Sequence, residues 1–495
     1  MDLGGGLRRP ISRRSALTAL AVTGGLGLTG GLGGLANAAT APLGTAGTAS
    51  NGISNWAGAT APPAQQAAAQ IRTEFLHAWD GYKKFAWGHD QVNPVSGTYD
   101  EFFVTGHPIG LSIIEALDTL YVMELDEELS AGISWIDANV NFDIDGDFHV
   151  FEAIIRVVGG LLAGYLAVKD AKLLALAKDL TDRLMPAFAS STGLPYQYVN
   201  LHTGAVSGNT PPLAEIGTNI LEFGVLSQLT GDPKYFNAAK KAYQVTMAKI
   251  SPIGLLGTYL DVETGEWTDS TDQAPNPPVD SFYEYLWGGW AMFHDTDCLR
   301  WFTQLNAALS EYSLETYNGN VWYKQVDFQT GALAGREQSE LAAFWAEVLG
   351  HAGQLNLARG YYKSWTTVLD KYPVLPEGFD YATFTADSGS GNQFRPEYVN
   401  SSFDLYFQTR DPYFANTAWQ YFLGMKNNAR VTNGYTIIND VTTSPMQLGD
   451  LFPAYGFAEN FKYLYLIFAN SPRFDAHNFY LSTEGKVLRG LVPAK

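Results

Sequence analysis

The chain has 495 residues, a formal net charge of −19, 46% hydrophobic content and one cysteine. So acidic a protein is poorly suited to nucleic acid or to an anionic membrane surface, and suits a neutral partner, a cation or simple solubility. Cys298 alone excludes an intramolecular disulfide, so stability has to come from a large apolar core.

Residues 1–38 read as an export signal rather than structure. Arg13-Arg14 precede a mild, Gly-rich apolar run from Ala16 to Leu35, and Ala36-Asn37-Ala38 supplies a small-x-small cleavage pattern. Paired arginines before so weak an apolar core favour a twin-arginine signal over an ordinary secretory one. The segment carries Arg8, Arg9, Arg13 and Arg14 against Asp2, so its removal leaves a charge of −22. No other uninterrupted apolar run approaches the roughly 20 residues that span a bilayer. The mature protein is therefore expected to be soluble and exported, in the periplasm or outside the cell. Residues 39–65 are rich in Ala, Gly, Thr and Ser with Pro62-Pro63, and read as a flexible linker; residues 66–495 then read as one domain.

Along that domain, helical periodicity recurs near 152–168, 176–190, 213–230, 235–248, 281–294, 299–315, 340–352, 354–368, 396–409, 413–424 and 456–469. Short Gly, Pro, Asp and Asn connections separate these stretches. One connection repeats: Asp232-Pro233 and Asp411-Pro412 each end one helix and open another whose first turn carries an aromatic. Repeated helix hairpins point to an open solenoid or a closed α/α toroid. The unequal hairpin lengths and the buried acids favour the closed ring.

Acids in apolar settings carry the chemical signal. Glu152 and Arg156 lie four apart in FEAIIRVVGGLLAGYLA and so share one helix face. Ionisable groups there cost free energy unless paired or used, which leaves a structural ion pair and a working pair both open. Asp280 follows a Pro-rich loop and Glu284 stands one turn later; a helix cap is the plainer reading of Asp280. Glu397 follows Arg395-Pro396, in a first helical turn where free amides and the helix dipole keep a carboxylate ionised. That suits a general base, and equally an ordinary surface glutamate. Glu459 opens a strongly apolar helix, and Glu484 follows the last one. Carboxylates without a Cys pair, an HExxH or a Gly-rich phosphate loop point to acid/base chemistry on a neutral substrate, of which glycoside hydrolysis is the main case. The abundant aromatics suit sugar stacking and suit a core equally.

In order, the segments WDGYKKFAWGHDQVNPVSG, GLSIIEALDTLYVMEL, FEAIIRVVGGLLAGY, DSFYEYL, FRPEYVNSSFDLY and ENFKYLYLIF, with Ser482-Thr483-Glu484 at the end, resemble the class I α-1,2-mannosidases of glycoside hydrolase family 47. The resemblance covers about residues 70–490. It implies an all-α (α/α)7 barrel with minor β-hairpins, and a calcium-dependent, inverting exo-mannosidase acting on α-mannoside oligosaccharides, expected to be monomeric. By motif, Glu152 matches the acid that protonates the leaving oxygen, and Asp280 is a second acid that competes for this role. Glu397 matches the general base. Arg156, Arg395, Glu459 and Glu484 match substrate-lining residues, and Thr483 matches the Ca2+ ligand through its carbonyl and hydroxyl oxygens. Ca2+ takes 6–8 oxygens, so waters and sugar hydroxyls would complete the shell.

The chain also departs from the family. Asn400 replaces a Glu one turn after the base, Glu340 a His, and Pro278 an Arg; Gly485-Lys486 replaces Ala-His-Pro, and the usual disulfide is absent. These changes bear on branch specificity, calcium affinity and substrate size. The alternative from another class is a non-catalytic mannose-glycan binder that keeps the fold. Retention of Glu152, Asp280, Glu397 and Thr483 argues against it.

Overall fold

The computed structural model describes residues 58–494. The export signal and most of the expected linker lie outside the described residues. The first helix, α1, runs Ala64–Phe85 and begins within the Ala-rich stretch read as linker.

Among the described residues thirteen further barrel helices follow, besides the short helix Leu213–Gly217: α2 Leu111–Val122, α3 Asp126–Asn139, α4 Val150–Val168, α5 Ala171–Leu184, α6 Ile220–Thr230, α7 Lys234–Met247 and α8 Asp280–Phe293. After them come α9 Thr296–Ala308, α10 Trp345–His351, α11 Leu355–Lys371, α12 Glu397–Thr409, α13 Pro412–Asn428 and α14 Phe461–Phe468. They pair in chain order, α2 with α3, α4 with α5 and so on to α12 with α13, and α14 closes the ring against α1. Within the ring, α2, α4, α6, α8, α10, α12 and α14 pack side by side, and α14 meets α2 again. The result is an (α/α)7 barrel, the closed form of the two architectures. Strands form only small antiparallel sheets of two or three members.

Local chemistry explains most boundaries. Asp170, Asp295 and Asp411 cap α5, α9 and α13 by accepting the amides of Lys172, Cys298 and Tyr413. Asp232 likewise accepts the amide of Lys234, so the repeated Asp-Pro connection is a repeated helix start. The stretch expected as one helix over 213–230 is broken at Thr218-Asn219. There the Thr218 hydroxyl turns to Ser281 and the Asn219 amide to the Ile216 carbonyl. The helix expected to 315 ends at Ala308, in a π turn that leads to the strand Leu314–Tyr317.

Helix α4 is long and apolar enough to cross a membrane, contrary to the expectation that no such segment follows the signal. Its most apolar window is 89% buried inside the barrel, which makes it a core helix. Ile154, Ile155, Val157, Val158, Leu161 and Leu162 are all buried, each contributing roughly 1.5–3 kcal/mol. At Gly160 a Cβ would lie 2.7 Å from the Ile114 carbonyl oxygen, so glycine lets α4 and α2 approach closely.

The inner helices all enter from the same end, because each is followed by its outer partner before the next begins. Glu152, Asp280 and Glu397 stand at or near the starts of α4, α8 and α12. A terminal β-hairpin, Tyr480–Leu481 paired with Val487–Arg489, rises from the other end. At its base, Arg489 donates to the carbonyl of Ala291 near the end of α8, and Tyr480 lies beside His351 at the end of α10. Its tip, Ser482–Lys486, reaches Tyr285 and Glu115 inside the ring. The hairpin therefore plugs the barrel.

Candidate active site

Glu152 and Arg156 flank the first turn of α4, where the helix widens into a π turn over Ala153–Val158. Such turns frequently mark functional sites. A second π turn, Gly456–Asn460, carries Glu459. The strand Asp147–His149 pairs with Tyr198–Asn200 and fixes the entry to α4.

The Arg156 Nε–H donates to Glu152 Oε2 at 2.6 Å. Its Nη1 donates to Glu115 Oε1 of α2 at 3.0 Å and lies 3.3 Å from Glu484 Oε2 of the plug. Its plane is held between Phe102 and Tyr455, 5.1 Å and 5.2 Å from the ring centres. On the far side, Glu115 accepts from Lys486 Nζ at 3.1 Å. All five charged groups are almost fully buried. Three carboxylates thus share two cations, so one proton balances the cluster. Burial raises Glu152 above its ordinary value; Arg156 and His149 pull it down, and Glu484 pushes it up again. Burial would raise Glu115 as well, but Lys486 and Arg156 outweigh it and hold Glu115 low. Glu152 Oε1 is buried with no hydrogen-bond partner among the described residues.

Glu397 is the first residue of α12, buried behind Pro396. Arg395 beside it donates through Nε to both oxygens of Glu377, each at 3.0 Å, while its Nη1 has no partner. The Arg395 guanidinium lies 5.9 Å from the Tyr455 ring, so one tyrosine contacts both arginines. Asp280 is buried at the first position of α8, where its Oδ1 accepts the amide of Ser281 at 3.0 Å. Val279 holds the cap position, so Asp280 is not the cap that residue type alone favours.

Thr483 sits in the tip of the plug with its Oγ1 buried and unpartnered. Gly485 next to it has φ +67°, and a Cβ there would lie 3.0 Å from Glu459 Cγ, so the tip passes close against Glu459. Tyr285 ties this region to Glu222: its hydroxyl accepts from the Thr483 amide at 3.4 Å and donates to Glu222 Oε1 at 2.8 Å. Burial pushes Glu222 up to about 8, with Glu284 and Glu484 adding to it. A buried hydroxyl without a partner, next in the chain to Glu484 and one tyrosine from Glu222, is an oxygen donor of the kind a hard cation such as Ca2+ takes. The residues present therefore fit the ion that the resemblance implies. A separate trio, Glu347, His351 and Asp404, lies toward the ends of α10 and α12, where His351 Nε2 is 2.9 Å from Asp404 Oδ1.

A profile of glycosyl hydrolase family 47 matches residues 74–490. The chain belongs to that family. Alpha-mannosidase I MNS5 of Arabidopsis thaliana is 32% identical over 84% of this chain and 76% of its own length. Mannosyl-oligosaccharide 1,2-alpha-mannosidase MNS1 of the same plant is 32% identical over 86% and 79%. In structure, the barrel matches the alpha-1,2-mannosidase from Trichoderma reesei with a TM-score of 0.79, covering 87% of this chain and 100% of that one at 24% identity. The family 47 member described here is accordingly a glycoside hydrolase of α-1,2-mannosidase type.

Reading the residues alone missed Glu115, Glu222, Glu377 and Tyr455. Glu115 had a usable signal, since Glu115 and Asp118 interrupt an otherwise apolar helix as Glu152 and Arg156 do. Tyr455 carried none. Of the departures, Glu340 is buried, accepts from Asn392 Nδ2 at 2.8 Å and is pushed well above the carboxylate range by burial and by Glu377 and Glu397. Asn400 is buried one turn from Glu397, 3.4 Å from Asp404 Oδ2.

Proposed function

We propose that this protein is an exported, calcium-dependent, inverting exo-α-1,2-mannosidase that removes terminal α-1,2-linked mannose from oligosaccharides. The observation that carries the reading is Glu152: a buried carboxyl raised above its ordinary value by burial, bound on one oxygen by Arg156 and unpartnered on the other, with Tyr455 lying against both Arg156 and the Arg395 that stands two residues before Glu397. Hydrolysis by inversion needs such a pair, one protonated and one ionised, on opposite faces of the sugar. The plug supports exo action, because a barrel filled at one end by the terminal hairpin leaves no path for a sugar chain to pass through it.

In this reading Glu397 takes a proton from water as the water oxygen bonds to the sugar C1. The C1–O bond to the leaving sugar breaks, and the leaving oxygen receives the Glu152 proton, directly or through a water. Asp280 is the competing donor. Arg156 Nη2 and Arg395 Nη1 are buried donors without partners, available to sugar hydroxyls. Thr483 would hold Ca2+, with Glu222, Glu459 and Glu484 orienting waters around it. When bound, the ion supplies fixed positive charge that holds sugar hydroxyls.

An NMR time course on α-1,2-mannobiose, with calcium and then with a chelator, tests this. Released mannose should appear first as the β-anomer and only with calcium. Absence of turnover with sugar binding retained would turn the reading to a glycan-binding protein.

A further inference from the structure

Lys486 touches neither the sugar-facing atoms nor the calcium-binding oxygens proposed above. It is fully buried in the plug, where an unpaired ammonium would be costly, and its Nζ reaches the side chain and the carbonyl of Glu115, at 3.1 Å and 3.2 Å. Glu115 divides its oxygens, Oε2 to Lys486 and Oε1 to Arg156, and Arg156 in turn clamps Glu152. We infer that Lys486 is a positioning residue for the proton donor: it satisfies Glu115 from the plug side and so leaves the Arg156 guanidinium available to aim Glu152. The inference rests on the reading of Glu152 as the acid.

Arg156 faces Glu115, Glu152 and Glu484, and a cation divided among three carboxylates is drawn toward whichever is least satisfied. With Lys486 in place, Glu115 already has a partner. Without it, Glu115 competes with Glu152 for the same guanidinium, and the cluster has lost one positive charge. Both effects make Glu152 hold its proton to higher pH. Other groups also face Glu152. His149 precedes α4 and lies 3.2 Å from Glu215 of the neighbouring short helix Leu213–Gly217. Glu222 of α6 and Lys486 both approach α4 at Gly159. His149, Glu215 and Glu222 remain unchanged in the variants below.

Lys486 also helps to anchor the plug, so the test has to separate tuning from mere anchoring. The plug has a second anchor: Asp118, which holds Lys462 Nζ at 2.7 Å and accepts the Val487 amide at 2.8 Å. The full-length exported protein, labelled with carboxyl 13C-glutamate, is titrated by NMR, with Glu152→Gln assigning the Glu152 signal. Lys486→Met should move the Glu152 midpoint upward by about half a pH unit or more. Glu115→Gln, which removes the competing charge, should move it downward. Lys486→Arg should restore it, and Lys462→Met should leave it in place. In activity on α-1,2-mannobiose, Lys486→Met should lower kcat about tenfold with KM within about twofold, because aim and not sugar contact is lost.

Shifts of the same sign in Lys486→Met and Glu115→Gln, or an equal shift in Lys462→Met, would overturn the inference and leave Lys486 a structural anchor. Should Lys486→Met not fold, Glu115→Gln and Lys486→Arg still decide the sign. The titration needs no turnover, so an inactive wild type would refute the hydrolase reading while the NMR result still judged the Lys486 relay.

Discussion

Arg156 of the second barrel hairpin and Glu484 of the terminal plug meet at 3.3 Å, both fully buried. One guanidinium thereby joins the residue proposed to donate the proton to the loop proposed to hold calcium. Substrate protonation and ion binding are built on a single charge cluster, so a change at either end should be felt at the other.

Glu397→Gln keeps the shape of the site and removes the proton acceptor. Turnover of α-1,2-mannobiose should fall by about 10²–10⁴-fold. Binding of mannose analogues, measured by calorimetry, should remain within a few-fold of wild type.

A general acid works only while protonated. Burial raises Glu152, against the opposing pull of Arg156 and His149. Activity should therefore persist above the ordinary carboxylate range and decline as pH rises through the Glu152 value. Glu152→Gln should lose most activity and abolish that alkaline decline in kcat/KM. If the decline survives in Glu152→Gln and disappears in Asp280→Asn, Asp280 is the donor.

Calcium that binds only the folded protein stabilises it, by about 2.7 kcal/mol at 100 times Kd. Chelation should lower Tm and activity together. Thr483→Val retains the carbonyl and loses the hydroxyl, so it should weaken calcium binding by calorimetry and shrink the Tm difference made by chelation.

Glu222 is raised to about 8 in the fold, from an ordinary 4.5. Between those values the unfolded chain binds fewer protons than the folded one, so stability falls as pH rises from about 4.5 to about 8. In metal-free protein, Glu222→Gln should remove this loss: its gain over wild type should be near zero at pH 4.5 and on the order of 4 kcal/mol at pH 8 by urea unfolding. An advantage independent of pH would show that Glu222 does not carry the titration.

The sequence by itself determined the class of the fold and the main acids, because both leave local marks. Helical periodicity, Asp-Pro helix starts and the motifs around Glu152, Asp280, Glu397 and Thr483 are each written within a few residues, and the barrel is the fold that the family resemblance implies. Three helices escaped the periodicity reading. All twelve residues of α2 are buried, which erases any polar face; α1 begins in a tract whose Ala and Gln look like linker; α3 is short of buried residues. The tertiary structure decided which charges share a partner. Glu115, Arg156, Glu484 and Lys486 come from α2, α4 and the plug, and only ring closure with the plug inside brings them within hydrogen-bond reach. The same closure turned α4 from a span long and apolar enough to cross a membrane into a core helix, since burial depends on what packs around a segment and not on its composition. Ionisation followed: burial raises Glu152, whereas at Glu115 Lys486 and Arg156 outweigh burial and lower it, because Glu115 has Lys486 besides the shared Arg156.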